Sequence, residues 1–153
     1  MKTRDFMRKD LTSVDTDTPI HEVIYIMEQA GLSSLPVLDE DGKIVGMISE
    51  RDVLRAALPS YFDMLHSTAI LPSFNQLSQS LERIAAEPAA RFMVEAPQVA
   101  RPDHEDMQIA ELFLRKRLKQ IPVVNEAGYL VGVVRRIDLL SQLSRGGILR
   151  NRH

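Results

Sequence analysis

The sequence predicts an α/β (α+β) fold of two β-α-β-β-α repeats packed sheet to sheet about a pseudo-twofold axis. Three observations predict it. The first is internal repetition. Residues 35–54, Leu-Pro-Val-Leu-Asp-Glu-Asp-Gly-Lys-Ile-Val-Gly-Met-Ile-Ser-Glu-Arg-Asp-Val-Leu, return as residues 121–140, Ile-Pro-Val-Val-Asn-Glu-Ala-Gly-Tyr-Leu-Val-Gly-Val-Val-Arg-Arg-Ile-Asp-Leu-Leu, at a constant offset of 86 residues. Pro36 falls on Pro122, Gly42 on Gly128, Gly46 on Gly132, Asp52 on Asp138, and Phe6-Met7 on Phe92-Met93. The second is that each copy sets two short Val/Ile-rich runs around a glycine turn and follows them with a helical pattern. The third is size: residues 2–58 and 88–145 are each too few to bury both faces of a sheet alone, so two copies must share a core. Clefts are then expected at the seams.

Taken in order, the opening segment is polar except for Phe6-Met7, and Ser13-Val14 reads as a short strand. Thr18-Pro19 is a helix start, with Thr at the N-cap and Pro at the first helical position. Ile20, Val23, Ile24, Met27 and Ala30 recur at helical spacing, and Gly31 ends the pattern. Leu35–Leu38 and Lys43–Ser49 form a hairpin around Asp39-Glu40-Asp41-Gly42, where Gly42 can take a positive φ. Glu50–Leu58 is a short helix stopped by Pro59. Residues 59–87 are a partly helical spacer, in which Ser73 can cap a helix carrying Leu77, Leu81, Ile84 and Ala85. Tyr61, Phe62 and Leu65 give it apolar anchors, either to cover the first repeat or to build a contact between copies. In the second repeat Asp103 can cap a helix with Ile109, Leu112 and Phe113 on one face. Ile121–Val124 and Tyr129–Val134 form its hairpin and Ile137–Leu143 its closing helix. The basic tail, 146–153, is expected to be flexible.

The composition narrows the function. The chain has 153 residues, 44% hydrophobic and 26% charged, which suits a globular protein with a core. Cysteine is absent, which removes thiol nucleophiles, disulfides and thiolate metal sites. No signal-like or membrane-spanning apolar run occurs, so the expected location is cytoplasmic, with no membrane partner. The net charge of −2 conceals a division: residues 1–90 carry 8 Lys+Arg against 14 Asp+Glu, and residues 91–153 carry 11 against 7. Arg115, Lys116, Arg117, Lys119, Arg135 and Arg136 make the second repeat basic. Such a face is either simply solvated or an anion site for phosphates or an acidic partner. It is too modest to argue for nucleic acid. His21, His66, His104 and His153 show no ligand spacing, so no metal site is expected among them. Asp39, Glu40 and Asp41 read either as a solvated turn or as carboxylates for Mg2+. No phosphate-cradling Gly-Lys loop, nucleophile elbow or acid–base constellation is present, and no enzyme is expected.

The quoted features resemble the cystathionine-β-synthase (CBS) domain. They are Leu-Pro-Val-Leu-Asp with Asp-Gly, Ile-Val-Gly-Met-Ile-Ser-Glu-Arg-Asp-Val-Leu, and the opening Phe-Met. Two such domains form a Bateman module. The resemblance implies a regulatory module that binds an adenosine-containing ligand between the repeats: AMP, ADP or ATP, with or without Mg2+, or S-adenosylmethionine. It implies a homodimer of modules, and output to a separate effector protein, since no enzyme or channel is attached.

The family's ribose motif, Gly-apolar-x-Ser/Thr-x-x-Asp/Asn, is matched by Gly46, Met47, Ser49 and Asp52. An aspartate in the first turn of a helix can accept hydrogen bonds from both ribose hydroxyls. Ser49 and the helix N–H groups can face phosphate, and Arg51 can reach it. Ser49 and Asp52 can equally be read as a cap of the helix from Glu50. The resemblance places the base and phosphate of this first site against Val94, Pro97, Gln98, Leu118, Lys119 and Gln120. The second site would use Val133, Arg135 and Asp138 with Met7, Leu11, Thr12, Leu32, Ser33 and Ser34. There Arg135 replaces the Ser/Thr, and it can pair with Asp138 and block the site. The first site is therefore the better formed of the two. The competing reading is an interaction scaffold, a homodimer whose clefts bind no nucleotide.

Overall fold

The computed structural model describes residues 1–58 and 76–146. In chain order these form β1 (Val14–Asp15), α1 (Ile20–Ala30), β2 (Ser34–Leu38), β3 (Ile44–Ser49), α2 (Glu50–Ala57), α3 (Gln76–Ile84), β4 (Val94–Glu95), α4 (Asp106–Lys116), β5 (Gln120–Val124), β6 (Leu130–Arg135) and α5 (Arg136–Gly146). Single 3-10 turns, Thr3–Asp5 and Ala89–Arg91, precede the two repeats' first strands. The architecture is mixed α and β, as the periodicity requires. The expected Ser73 cap, the Tyr61, Phe62 and Leu65 anchors and the tail beyond residue 146 lie outside the described residues.

The chain clusters into two compact units, and neither is a continuous stretch. One contains Ser13–Glu40 and Val45–Ala96, including the first motif. The other contains Met1–Thr12, Asp41–Ile44 and the residues from Pro97 on, including the second motif. In the first-motif unit the sheet order is β1-β2-β3-β4. Val14 pairs in parallel with Val37, and Met47 pairs antiparallel with Val94. Its core joins Ile20, Val23 and Met27 of α1 to Leu35 and Val37 of β2, Ile48 of β3, Val53 of α2 and Ala89. Leu81 and Ile84 of α3 pack on this core. In the second-motif unit β5 and β6 form an antiparallel pair, Ala100 bridges Val123 in parallel, and Arg8 bridges Val133 antiparallel. Its core joins Phe6, Ile109, Phe113, Ile121, Val123, Val134 and Leu139.

The offset of 86 carries through to these pairings. Val14–Val37 becomes Ala100–Val123, and Met47–Val94 becomes Val133–Arg8. Each motif strand is therefore paired with the segment that opens the other repeat. The hydrogen bonds repeat as well. Ala89 N donates to Thr18 O at 2.8 Å and Thr3 N to His104 O at 2.9 Å; Ala90 N donates to Thr16 O at 2.9 Å and Arg4 N to Pro102 O at 3.0 Å.

This exchange of opening segments corrects two expected helix starts. Thr18 does not cap α1. Pro19 occupies the N-cap position, and the Thr18 hydroxyl accepts from Asp15 N at 2.9 Å instead. The first α1 donors are satisfied by backbone: Ile20 N donates to Glu87 O at 2.9 Å and His21 N to Ala85 O at 3.0 Å. Nor does Asp103 cap the next helix. Glu105 is the N-cap of α4, and Asp106 N donates to Met1 O at 2.9 Å. A carbonyl delivered from a distant segment meets the orphan N–H groups that a side chain would otherwise serve. At the other end of these helices the expected stop at Gly31 is present, with φ 65°. Its counterpart Arg117 takes the same left-handed conformation with φ 52° and a side chain to accommodate.

Candidate ligand-binding site

Both motifs sit where a β-strand passes into a helix. At the first, β3 ends at Ser49, and Ser49 is the N-cap of α2. The Asp52 backbone N–H donates to Ser49 Oγ at 3.2 Å. Asp52 Oδ2 in return accepts from Ser49 N at 2.8 Å and from Ser49 Oγ at 2.9 Å. This reciprocal cap holds the carboxylate beside the first turn of the helix, where the helix dipole favours a negative charge. Among the described residues these bonds engage only one carboxylate oxygen, and Oδ1 lies outside them. Glu50 N donates to Ser33 O at 2.9 Å, which fixes the loop before β2 against the same helix start.

Gly46 is required by a close approach. A Cβ there would stand 2.5 Å from Met93 Sδ and 3.0 Å from Val94 O, because the opening segment of the second repeat lies directly on the strand. At Gly132 a Cβ would stand 2.5 Å from Arg8 O and 3.2 Å from Met7 Sδ. The repeated Phe-Met pairs and the repeated glycines are thus two sides of one contact.

The second motif has the same backbone and different chemistry. Arg136 N donates to Lys119 O at 3.3 Å, as Glu50 N does to Ser33 O. Asp138 Oδ2 accepts from Arg135 N at 3.0 Å and from Arg135 Nε at 3.2 Å. Asp138 Oδ1 accepts from Arg135 Nη2 at 3.1 Å and from Arg8 Nε at 2.9 Å. Burial by itself pushes the Asp138 carboxyl up, but the hydrogen bonds from Arg135 and Arg8 outweigh it and hold the group below its ordinary value. The Arg135 guanidinium is raised in turn, first by its hydrogen bond to Asp138. Asp10 is lowered, chiefly by the Thr12 hydroxyl, which donates to Asp10 Oδ1 at 2.6 Å, and to a lesser degree by Arg8 and Arg135.

The predicted site residues distribute as follows. Met47, Ser49, Arg51, Asp52 and Val94 lie in the first-motif unit, with Met47 and Val94 directly paired. Arg51 is exposed, and Val94 is 55% exposed. Leu32, Ser33 and Ser34 lie in the same unit, Leu32 packed against its core. Val133, Arg135, Asp138, Met7, Leu11 and Thr12 lie in the second-motif unit, together with Pro97, Gln98, Leu118, Lys119 and Gln120. Leu118 packs on that unit's core, Gln120 is buried, and Gln98 and Lys119 are exposed. Arg8 and Asp10 were not singled out from sequence. The signal was available, because at the offset of 86 Arg8 is the counterpart of Val94. Among the described residues no cluster of three or more His, Cys, Asp or Glu side chains is placed to hold a metal ion. Among the same residues no helix is long and apolar enough to cross a membrane.

The family model of the CBS domain matches the chain twice, over residues 4–59 and 89–145. The chain belongs to the CBS domain family. It is a tandem CBS pair, and its two motif corners are the equivalent corners of the two CBS repeats. Among its relatives is the uncharacterized protein MJ1426 of Methanocaldococcus jannaschii, 30% identical over 156 residues, a match covering 94% of this chain and 91% of that one. The chloroplastic CBS domain-containing protein CBSX1 of Arabidopsis thaliana is 28% identical over 94% of this chain, which spans only 65% of CBSX1. The solved CBS-pair protein CBSX2 of Arabidopsis thaliana superposes with a TM-score of 0.78 at 23% identity, covering 99% of this chain and 98% of that one. CBSX2 has also been solved in complex with AMP, and that structure superposes with a TM-score of 0.70.

Proposed function

We propose that this CBS pair is a regulatory module that senses an adenosine nucleotide of the AMP, ADP or ATP class through the first motif, and that it is not an enzyme. The observation that carries the proposal is the Asp52 carboxylate. The Ser49 cap holds it at the start of α2 by one oxygen, leaving Oδ1 outside those bonds. A rigid carboxylate of this kind suits the two hydroxyls of a ribose, and binding costs little side-chain ordering. Exposed Arg51 and the N–H groups of the first α2 turn suit phosphate. The relative solved with AMP supports the choice of ligand class. The assignment of base and phosphate contacts to Val94, Pro97, Gln98, Leu118, Lys119 and Gln120 rests on the family resemblance. The same holds for Mg2+ as a companion of the nucleotide and for S-adenosylmethionine as the alternative ligand.

The signal passes to a separate effector protein in this reading, through a cytoplasmic homodimer. Leu54 of α2 and its counterpart Leu140 of α5 are 51% and 60% exposed, apolar positions suited to such a contact. Thermal unfolding against AMP, ADP, ATP, S-adenosylmethionine and Mg2+ tests the ligand, because binding to the native state raises stability by mass action. Asp52→Asn is the control: it keeps a side-chain oxygen for the cap and removes the charge. A shift with one adenosyl ligand, lost in the variant, supports the proposal. No shift with any ligand favours the scaffold reading, in which the pair serves only to bind proteins. The observation favouring that second reading is the Arg135–Asp138 pair, which departs from the ribose motif.

A further inference from the structure

The two motifs differ in how much of their aspartate is already used. A carboxylate offers about four acceptor positions, two on each oxygen. Asp138 has all four filled: Oδ1 by Arg8 Nε and Arg135 Nη2, and Oδ2 by Arg135 N and Arg135 Nε, at 2.9 to 3.2 Å. Its side chain is 10% exposed, so little water competes for it. Three of the four donors are guanidinium N–H groups, so the carboxylate is neutralised by full opposite charges in a partly bidentate fork. A ribose diol brings only neutral hydroxyls to the same positions. Both arginines are peculiar to the second-motif unit, because at the offset of 86 Arg135 stands where the first repeat has Ser49 and Arg8 where the second has Val94. Arg8 is also tethered: its N–H donates to Val133 O at 2.8 Å and its carbonyl accepts from Val133 N at 2.9 Å, so the strand pairing presents its side chain to the corner.

We propose that Arg8 and Arg135 act as built-in ligands of the second motif, an autoinhibitory contact that closes Asp138 to ribose and leaves the chain with one nucleotide site. The inference rests on the nucleotide-sensing reading for what is excluded, but the latch itself is a property of the protein alone.

The test replaces each arginine by its counterpart, Arg8→Val with Arg135→Ser, and counts AMP bound per chain by isothermal titration. The wild type is expected to bind one AMP and the double variant two, with Asp138→Asn in the variant returning the count to one. Two AMP per wild-type chain, one of them lost on Asp138→Asn, overturns the proposal. So does a double variant that still binds one AMP although its Asp138 carboxyl titrates in the ordinary range. If neither protein binds AMP, the nucleotide reading fails and the latch is judged by NMR titration of the Asp138 carboxyl. A rise on replacing the arginines supports the latch, and an unchanged titration overturns it. Arg8→Gln with Arg135→Ser, a milder pair that keeps a long polar side chain at position 8, gives the same comparison should the first double variant not fold.

Discussion

Replacing Gly132 with alanine tests the exchange of opening segments on which both motif corners are built. The new Cβ would lie 2.5 Å from Arg8 O and 3.2 Å from Met7 Sδ. Ordinary van der Waals contact needs about 3.4 Å or more, so the Arg8 carbonyl must retreat by nearly an ångström. It cannot do so freely, because it accepts from Val133 N at 2.9 Å, one of the two bonds that pair the opening segment to β6. Overpacking costs about 1 to 3 kcal/mol, and a weakened backbone hydrogen bond adds about 1 kcal/mol, giving about 2 to 4 kcal/mol in all. The matching Gly46→Ala change is the internal control. Its Cβ meets Met93 Sδ, the far end of a flexible side chain, at 2.5 Å and the Val94 carbonyl at only 3.0 Å. Rotation of the methionine relieves most of that clash, and a cost of about 1 to 2 kcal/mol is expected. Urea unfolding followed by circular dichroism measures both. Gly132→Ala should lose at least 1 kcal/mol more than Gly46→Ala, and about 5 to 15 °C in Tm. Equal costs, or a neutral Gly132→Ala, would refute the account of how Arg8 reaches the second motif.

Three further outcomes follow from the same geometry. Ser49→Ala removes the hydroxyl that accepts from Asp52 N and should cost about 1 kcal/mol, or about 2 to 4 °C in Tm, by differential scanning calorimetry. Arg117 holds the left-handed position that Gly31 fills in the first repeat, so Arg117→Gly should stabilise the protein by up to about 1 kcal/mol and Gly31→Ala should destabilise it by about as much, in the same assay. The third concerns pH. Asp138 has a folded value below its ordinary 3.8, so its contribution is present above the unfolded value and is lost as pH falls through the folded one. Arg8→Val with Arg135→Ser should therefore be less stable than wild type by about 1 kcal/mol at pH 7, and the gap should close below about pH 4 in urea titrations. A gap of constant size across that range would show that the arginines contribute by packing and not by charge.

Much of this organisation was legible in the sequence because it depends on periodicity and on repetition. The hairpins, the helices and the motif residues Gly46, Ser49, Asp52, Gly132 and Asp138 all fall at the single offset, and each is a local feature. The cap of Asp52 by Ser49 was legible for the same reason, since the two are three residues apart. The helix starts were not, because Thr18 and Asp103 compete with carbonyls of Ala85, Glu87 and Met1 that only the folded chain brings to the helix ends. Arg8 was missed for a related reason. Its partner Asp138 is 130 residues away, and only the offset of 86, which sets Arg8 opposite Val94, marks it within the polar opening segment. The strand β4 was also overlooked, since Val94-Glu95 is too short to carry alternation and is set by pairing with Gly46 and Met47.

The central claim is that the Asp52 carboxylate reads the ribose of an adenosine nucleotide. Equilibrium binding of AMP to the wild type and to Asp52→Asn, compared at a temperature where both are fully folded, tests it most directly. The account predicts saturable binding by the wild type and at least a tenfold weaker affinity in the variant, which corresponds to about 1.4 kcal/mol for the lost charge-assisted bonds. Unchanged affinity in Asp52→Asn would contradict it.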